Sequence, residues 1–162
     1  MESREILEQK YQALPPEIKY IVELLAYSCC PISKSTLERL ELPFEKSKSK
    51  RRAIILSLKD YPEIIWPSKN ILDSYYVLEP HLSLHLLLQL DKQKRDFKKE
   101  ICDTNFWNGA NYLGKRVRDT LLKYYYTQTP FSYLSVANQN IHAKFLLDAA
   151  LDMPEFSGIE HF

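Results

Sequence analysis

Hydrophobic residues recur at intervals of three and four along most of the chain, which is the spacing of an amphipathic helix. The clearest stripe predicts a helix over residues 16–29 and consists of Ile18, Ile21, Val22, Leu25 and Cys29. Pro16 suits the first turn of that helix, because the N–H that proline lacks would have no partner there. Shorter helices are predicted before it, over Arg4 to Ala13, and after it, with Ser33 as the N-cap.

A third helix and then a change of period follow. From about residue 45 to Asp60 the apolar positions again have helical spacing, with Ile54 and Leu58 on the predicted core side. After Pro62 the pattern becomes short, apolar and β-branched, first over residues 63–66 and again over residues 71–78. The sequence between these two runs, Pro-Ser-Lys-Asn, is typical of a turn, so we predict a β-hairpin.

From Pro80 the pattern is helical again. One helix is predicted from Pro80 to about Asp103, a second over about residues 110–126, and one or two more between residues 131 and 151. The predicted fold class is therefore mainly α, with a three-helix core, a small β-hairpin and additional C-terminal helices. We divide the chain into an N-terminal unit, residues 1–90, and a helical extension, residues 91–162, that packs on it.

Composition supports a packed globular chain in a reducing compartment. Of the 162 residues, 45% are hydrophobic and 27% are charged, which is unlike a disordered protein. The three cysteines include the adjacent pair Cys29 and Cys30, which is a poor disulfide framework. The start of the chain does not resemble a signal peptide, and the longest apolar stretch is about half a membrane span. We therefore predict a cytoplasmic protein with no membrane partner.

Positive charge is concentrated in one segment. The formal net charge is only +1, but residues 44–59 hold six cationic side chains against the single carboxylate of Glu45. The cations are Lys46, Lys48, Lys50, Arg51, Arg52 and Lys59. A local cluster of this kind on a helix is the electrostatic pattern of a nucleic-acid contact, and it is also a common solvated surface.

The order of helix, helix, short break, helix and hairpin resembles the winged helix-turn-helix superfamily. The resemblance covers residues Pro16 to Leu90 and depends on the second-helix sequence Pro-Ile-Ser-Lys-Ser-Thr-Leu-Glu-Arg-Leu, the basic third helix and the hairpin. Residues 76–84 look like the segment that leaves the wing in winged helices beside regulatory ATPase domains. The resemblance implies a module of a larger multidomain protein, such as an ATPase or helicase whose motor lies elsewhere.

In a helix-turn-helix the third helix enters the major groove, so the resemblance implies a non-catalytic module that binds nucleic acid or has a regulatory role. The candidate phosphate contacts are Lys48, Lys50, Arg52 and Lys59, and Ser49 is a candidate polar contact. Leu56 lies among these residues and is more typical of a surface that packs on another helix. A protein-interaction scaffold with the same fold is therefore the alternative, and an unrecognised enzyme is a third.

The other motifs in the sequence give little support for a nucleotide, metal or base-stacking site. Residues 109–116 nearly spell a phosphate-binding loop, but Arg116 stands where a serine or threonine would hold magnesium. His81 and His85 are four residues apart and could share a helix face as zinc ligands, yet no third ligand follows from the spacing. Tyr124, Tyr125 and Tyr126 fit packing between helices better than base stacking. We predict no catalytic residue, no metal site and no cofactor.

Overall fold

Helices make up most of the described chain, and three short strands form one antiparallel sheet. The computed structural model describes residues 4–39, 47–69, 74–95, 97, 110–127 and 141–156. The α-helices are α1 Arg4–Gln12, α2 Pro16–Ser28, α3 Lys34–Arg39, α4 Lys48–Leu56, α5 Pro80–Lys92, α6 Ala110–Thr127 and α7 Ile141–Leu151. The strands are β1 Ile32–Ser33, β2 Ile65–Lys69 and β3 Ser74–Leu78, and 3-10 turns cover Ser57–Asp60 and Pro154–Phe156. The mainly helical class predicted from the sequence is confirmed.

The sheet contains the predicted hairpin and one strand that the sequence did not reveal. Its order is β1-β3-β2, and β2 runs antiparallel to β3 with Trp66 opposite Val77. The predicted turn position is wrong, because Pro67 lies inside β2 and pairs with Tyr76. Proline is tolerated there since β2 is an edge strand of the sheet. The connection between β2 and β3, residues 70–73, lies outside the described residues.

The sequence did not predict the two-residue strand β1, and one of its residues also caps the next helix. Ile32 and Ser33 pair with Tyr76 and Tyr75 of β3. Ser33 nevertheless acts as the predicted N-cap of α3, since its Oγ accepts a hydrogen bond of 3.1 Å from the backbone N–H of Thr36. Ser33 therefore pairs with β3 through its backbone and caps α3 through its side chain.

Two hydrophobic clusters form the core, and α5 contributes to both. Leu82, Leu86 and Leu90 pack with α1, α2 and the sheet in the first cluster. Leu84, Leu87 and Leu88 pack with α6 and α7 in the second cluster. A helix whose apolar side chains point in all directions is stable only when it is covered on all sides. The run of apolar residues that forms α5 therefore lies between the two clusters, at the centre of the core.

The helix predicted to continue to Asp103 ends at Lys92 instead. Lys94 adopts a left-handed conformation with φ of 56°, and the N–H of Arg95 bonds back to the carbonyl of Leu90 at 2.9 Å. This is the hydrogen-bond pattern of a Schellman motif, which usually contains glycine at the left-handed position. Phe97 then returns to the first cluster, fully buried, and the Arg95 guanidinium lies 3.9 Å from the centre of its ring.

The C-terminal helices pack on the N-terminal ones. α7 packs on α5, and α6 packs on the end of α2. Leu24 is buried in the first cluster, and Tyr27 is covered by the Arg118 guanidinium of α6, 4.2 Å from its ring centre. Arg118 also donates a hydrogen bond of 3.2 Å to the carbonyl of Tyr27. In the described part of the chain, no helix has the length and apolar character needed to cross a membrane.

Gly114 allows α6 to approach α2 closely. A Cβ atom at this position would lie 2.7 Å from the Cβ of Cys30 and still closer to the carbonyl oxygen of Ser28. Both partners belong to the end of α2 and the segment after it, where neither atom moves easily. The second glycine of the near-match to a phosphate-binding loop therefore lies within a helix and serves packing.

We expect Gly114→Ala to destabilise the protein by about 1–3 kcal/mol, because the added methyl group overlaps backbone and a buried side chain. In an exposed helix the same change would stabilise by about 1 kcal/mol through helix propensity. The free energy of unfolding in urea measures the difference, and Lys115→Ala at the neighbouring exposed position is the matched control. A stabilised Gly114→Ala variant would contradict the close approach.

An ion pair joins the two ends of the described chain. Arg4 of α1 donates two hydrogen bonds to Glu155, of 3.0 Å from Nη1 and 2.5 Å from Nη2. Burial raises the pKa of the Glu155 carboxyl, but the hydrogen bond from Arg4, a backbone hydrogen bond and the charges of Arg4 and His85 together hold that pKa below its usual value. A lowered folded-state pKa stabilises the fold above the unfolded pKa, and this contribution is lost as the pH falls through the folded value.

We expect Glu155→Gln to lower the free energy of unfolding at neutral pH by up to about 1 kcal/mol, since the pair is partly exposed and screened by solvent. The difference from the parent protein should shrink as the pH falls below about 4, where the parent carboxylate is protonated too. Urea unfolding across this pH range tests it, with Glu5→Gln on α1 as the control. A difference that stays constant with pH would contradict the assignment.

Candidate nucleic-acid interface

The basic residues singled out in the sequence lie at the exposed start of α4. Ser47 caps this helix, with its Oγ accepting from the backbone N–H of Lys50 at 3.4 Å and lying 3.1 Å from the Oγ of Ser49. Lys48, Ser49 and Lys50 are exposed. The helix begins at Lys48, within about three residues of the predicted start, and these three side chains occupy its first turn.

Helix α4 produces a positive electrostatic potential and contains no Asp or Glu residue. The sequence of α4 is Lys-Ser-Lys-Arg-Arg-Ala-Ile-Ile-Leu, and the N-terminal end of any helix carries a partial positive charge from its unpaired N–H groups. Together, α3, α4 and the 3-10 turn after α4 hold seven Lys and Arg residues against Glu38 and Asp60. The concentration of charge seen in the sequence is therefore a local surface in the structure.

Arg52 has an acidic neighbour across the helix pair. Its Nε lies 3.9 Å from the carboxylate of Glu38 on α3, at the long end of an ion pair, and the Arg52 side chain is 55% exposed. An exposed pair of this geometry contributes little to stability, so it competes weakly with a phosphate group for the guanidinium. Arg52 thus stays accessible while Glu38 orients it.

Lys59 does not lie on α4 with the other candidate phosphate contacts. The α-helix ends at Leu56, and Lys59 lies in the 3-10 turn that follows. The tighter turn changes the rotation per residue, so helical spacing no longer relates Lys59 to Lys48 and Arg52. Ile55 and Leu58 are the fully buried residues, whereas Ile54 is only partly buried. Lys59 is exposed in this turn, after the α-helix that carries Lys48, Ser49, Lys50 and Arg52.

Leu56 is exposed as the sequence indicated. Its side chain is 47% exposed, beside a helix that packs against α3 and the 3-10 turn. The described C-terminal helices pack on α2 and α5 and leave both Leu56 and the basic start of α4 accessible. In the described part of the chain, Leu56 and the basic start of α4 are therefore both open to solvent.

A second surface, which the sequence did not indicate, is a cleft between α1, the start of β2, the start of α5 and α7. Its volume is about 380 Å³, and its lining comprises Leu7, Glu63, Trp66, Glu79, Pro80, His81, Phe145, Asp148, Ala149 and Asp152. The sequence predicts a helix from Pro80, but it does not predict the approach of α7. Hydrophobic spacing predicts that a helix exists and does not predict which helix lies opposite it.

The two histidines considered as zinc ligands have separate partners. His81 Nδ1 lies 2.9 Å from a carboxylate oxygen of Glu79. His85 lies 3.2 Å from both an Arg4 nitrogen and a Glu8 carboxylate oxygen, and 3.0 Å from the Gln89 amide. Among the described residues no group of three or more potential ligands is arranged to hold a metal ion.

The adjacent cysteines are buried on opposite sides of the turn that ends α2. Cys29 has a left-handed backbone with φ of 51° and packs in the second cluster, whereas Cys30 packs in the first. Burial raises the pKa of Cys29 to about 12 and raises the pKa of Cys30 as well. The thiolate is the nucleophilic form, so neither sulfur is suited to nucleophilic catalysis. Cys102 lies outside the described residues.

The tyrosine run of α6 offers no stacking platform. Tyr124 is buried in the second cluster, and Tyr125 packs edge-on against Tyr126 with ring centres 5.1 Å apart. Tyr126 is exposed, but its hydroxyl donates a hydrogen bond to Asp91, which raises the pKa of Tyr126 to about 12. The packing interpretation of these residues is thus the better one.

No protein-family model, curated protein or solved structure matches the chain. The described structure has two candidate functional surfaces. One is the basic start of α4, and the other is the apolar cleft with acidic residues in its lining.

Proposed function

We propose that the chain is a non-catalytic winged-helix module that binds nucleic acid through the start of α4, as part of a larger multidomain protein. The order α2, β1, α3, α4, β2, β3 supports the fold, because a winged helix has three helices followed by a hairpin. A short strand between the first two helices that pairs with the hairpin fits the same arrangement, and β1 does so.

The observation that carries the proposal is the exposed, carboxylate-free first turn of α4. Lys48 and Lys50 extend from the end of a helix that already attracts anions, and Arg52 follows one turn later. Lysine and arginine in this position would neutralise backbone phosphates and release counterions, so binding would weaken with salt. Ser49 provides a hydroxyl that can donate to or accept from a base edge or a phosphate.

One observation favours a second function, a protein-docking scaffold. Leu56 is a large apolar side chain left half exposed on the helix that carries the cations. A leucine side chain forms no hydrogen bond or ion pair with a phosphate group. Apolar side chains at the centre of a surface patch are typical of protein interfaces. The two functions make different predictions about salt, because a contact centred on Leu56 depends weakly on ionic strength.

We expect the protein to bind duplex DNA with an affinity that falls steeply with salt, and the double variant Lys48→Glu/Arg52→Glu to bind at least roughly ten-fold more weakly. Removing two phosphate contacts should also reduce the slope of log K against log salt by about 2. Fluorescence anisotropy with duplex and single-stranded DNA and RNA at two salt concentrations measures both quantities.

The matched control is Lys115→Glu/Arg116→Glu, which reverses two exposed cations at adjacent positions of α6. Circular dichroism and thermal melting must show that both double variants remain folded. If the two reduce affinity equally, binding reflects general charge and the α4 surface is wrong. If no nucleic acid binds even at low salt, the docking scaffold replaces the proposal.

A further inference from the structure

The cleft between α1, β2, α5 and α7 has the size and wall chemistry of a ligand site. Its volume of about 380 Å³ lies within the range of small-molecule pockets. Trp66 and Phe145 line it and are among the large hydrophobic residues that the described structure leaves exposed, at 38% and 46%. Two aromatic side chains left in water at one concavity indicate a surface that an apolar group can cover.

The charged residues in the lining all carry negative charge. Glu63, Glu79, Asp148 and Asp152 line the cleft, and the described lining includes no lysine or arginine. One nearby cation, Lys10, lies 3.8 Å from Glu63 at the edge. The cleft therefore has a negative potential beside its aromatic walls, which excludes anions and attracts a cation. The face of Trp66 adds to this attraction.

His81 adds an acceptor at the same place. As a carboxylate, Glu79 can only accept hydrogen bonds: one oxygen accepts from the N–H of Leu82 at 2.9 Å, and the other lies 2.9 Å from His81 Nδ1. Glu79 thus fixes neutral His81 with its proton on Nδ1 and leaves Nε2 as an acceptor. His81 Nε2 is buried without a hydrogen-bond partner and lies 3.7 Å from a carboxylate oxygen of Asp152.

In the neutral form of His81, two acceptors, Nε2 of His81 and a carboxylate oxygen of Asp152, face each other without a donor between them. Asp152 is 67% exposed, so its carboxylate can rotate outward and admit one. An N–H group that enters there would satisfy the orphaned nitrogen and an anionic oxygen at once. A positively charged donor fits best, because hydrogen bonds between charged groups are the stronger kind.

The cleft has aromatic walls, negatively charged residues in its lining, and two facing acceptors without a donor between them. From these features we propose that it binds a small organic ammonium ligand with an aromatic or aliphatic body. The body lies between Trp66 and Phe145, and the ammonium group lies near Asp152 and His81. A small molecule is the occupant because the feature is a compact concavity, whereas a stable protein interface needs about 800 Å² on each partner. The site is independent of the basic surface on α4.

The test is a titration of the full chain with phenethylammonium, followed by the indole N–H signal of Trp66 in ¹H–¹⁵N NMR spectra. The variant Trp66→Phe assigns that signal. We expect saturable binding with a Kd on the order of 1 mM, as suits a ligand of this size. Phenethyl alcohol and hydrocinnamate, which share the ring but are neutral or anionic, should bind at least roughly ten-fold more weakly.

Replacing the acidic group should weaken binding without unfolding the protein. Asp152→Asn is expected to raise the Kd for phenethylammonium about five- to ten-fold, since it removes one charge beside the ligand. Asp119→Asn, at an exposed aspartate of α6 outside this cleft, is the matched control and should leave the Kd unchanged. Thermal melting checks that both variants keep the parent stability.

Three results would overturn the proposal. The first is no shift of the Trp66 signal at high millimolar amine, and the second is equal binding of the three ring compounds. The third is a peptide, N-acetyl-Lys-Phe-Lys-amide, that binds at least ten-fold more tightly than the amine, because the occupant would then be a segment of a partner protein. None of these results bears on whether α4 binds nucleic acid.

Discussion

Burial of α5 on both sides is the constraint on which the rest of the structure depends. Its leucines divide between two clusters, so the helix needs α2 and the sheet on one side and α6 and α7 on the other. Each buried leucine contributes roughly 1.5–3 kcal/mol, and losing either cover would return several of them to water. The N-terminal and C-terminal helices are therefore held together through one shared element.

The two ends of α5 are fixed by polar contacts that serve this packing. Glu79 caps the first turn, and its carboxylate also holds the ring of His81 in place. The left-handed Lys94 stops the helix and turns the chain so that Phe97 reaches the first cluster. The cleft lies at the capped end, so the residue that starts the central helix also shapes the candidate ligand site.

Local patterns in the sequence predicted those features that depend on local physics. The stripe of α2, the cap at Ser33, the exposed start of α4 and the hairpin after Pro62 all follow from spacing, capping and β-branched runs. The stop at Lys94 could not be predicted, because lysine has no preference for a left-handed conformation and the burial of Phe97 in the first cluster cannot be read from local spacing. Strand β1 was missed because two residues are too few to form a periodic pattern.

Sites built from distant segments were beyond the same reasoning. Trp66, His81 and Phe145 belong to a strand and two helices, and no interval between them in the sequence is informative. Gly114 belongs to a near-match to a phosphate-binding loop that Arg116 already argued against, and its contacts with Ser28 and Cys30 are those of packing.

Net charge is a poor guide to this molecule because its two candidate surfaces have opposite signs. The 22 Lys and Arg residues and 21 Asp and Glu residues of the whole chain give a total of +1, which reveals neither the basic start of α4 nor the acidic cleft. Fields near a surface are set by groups within about 10 Å, the screening length at 0.1 M salt, and not by the sum over the chain. A polyanion and a small cation can therefore each find a favourable place on one nearly neutral protein.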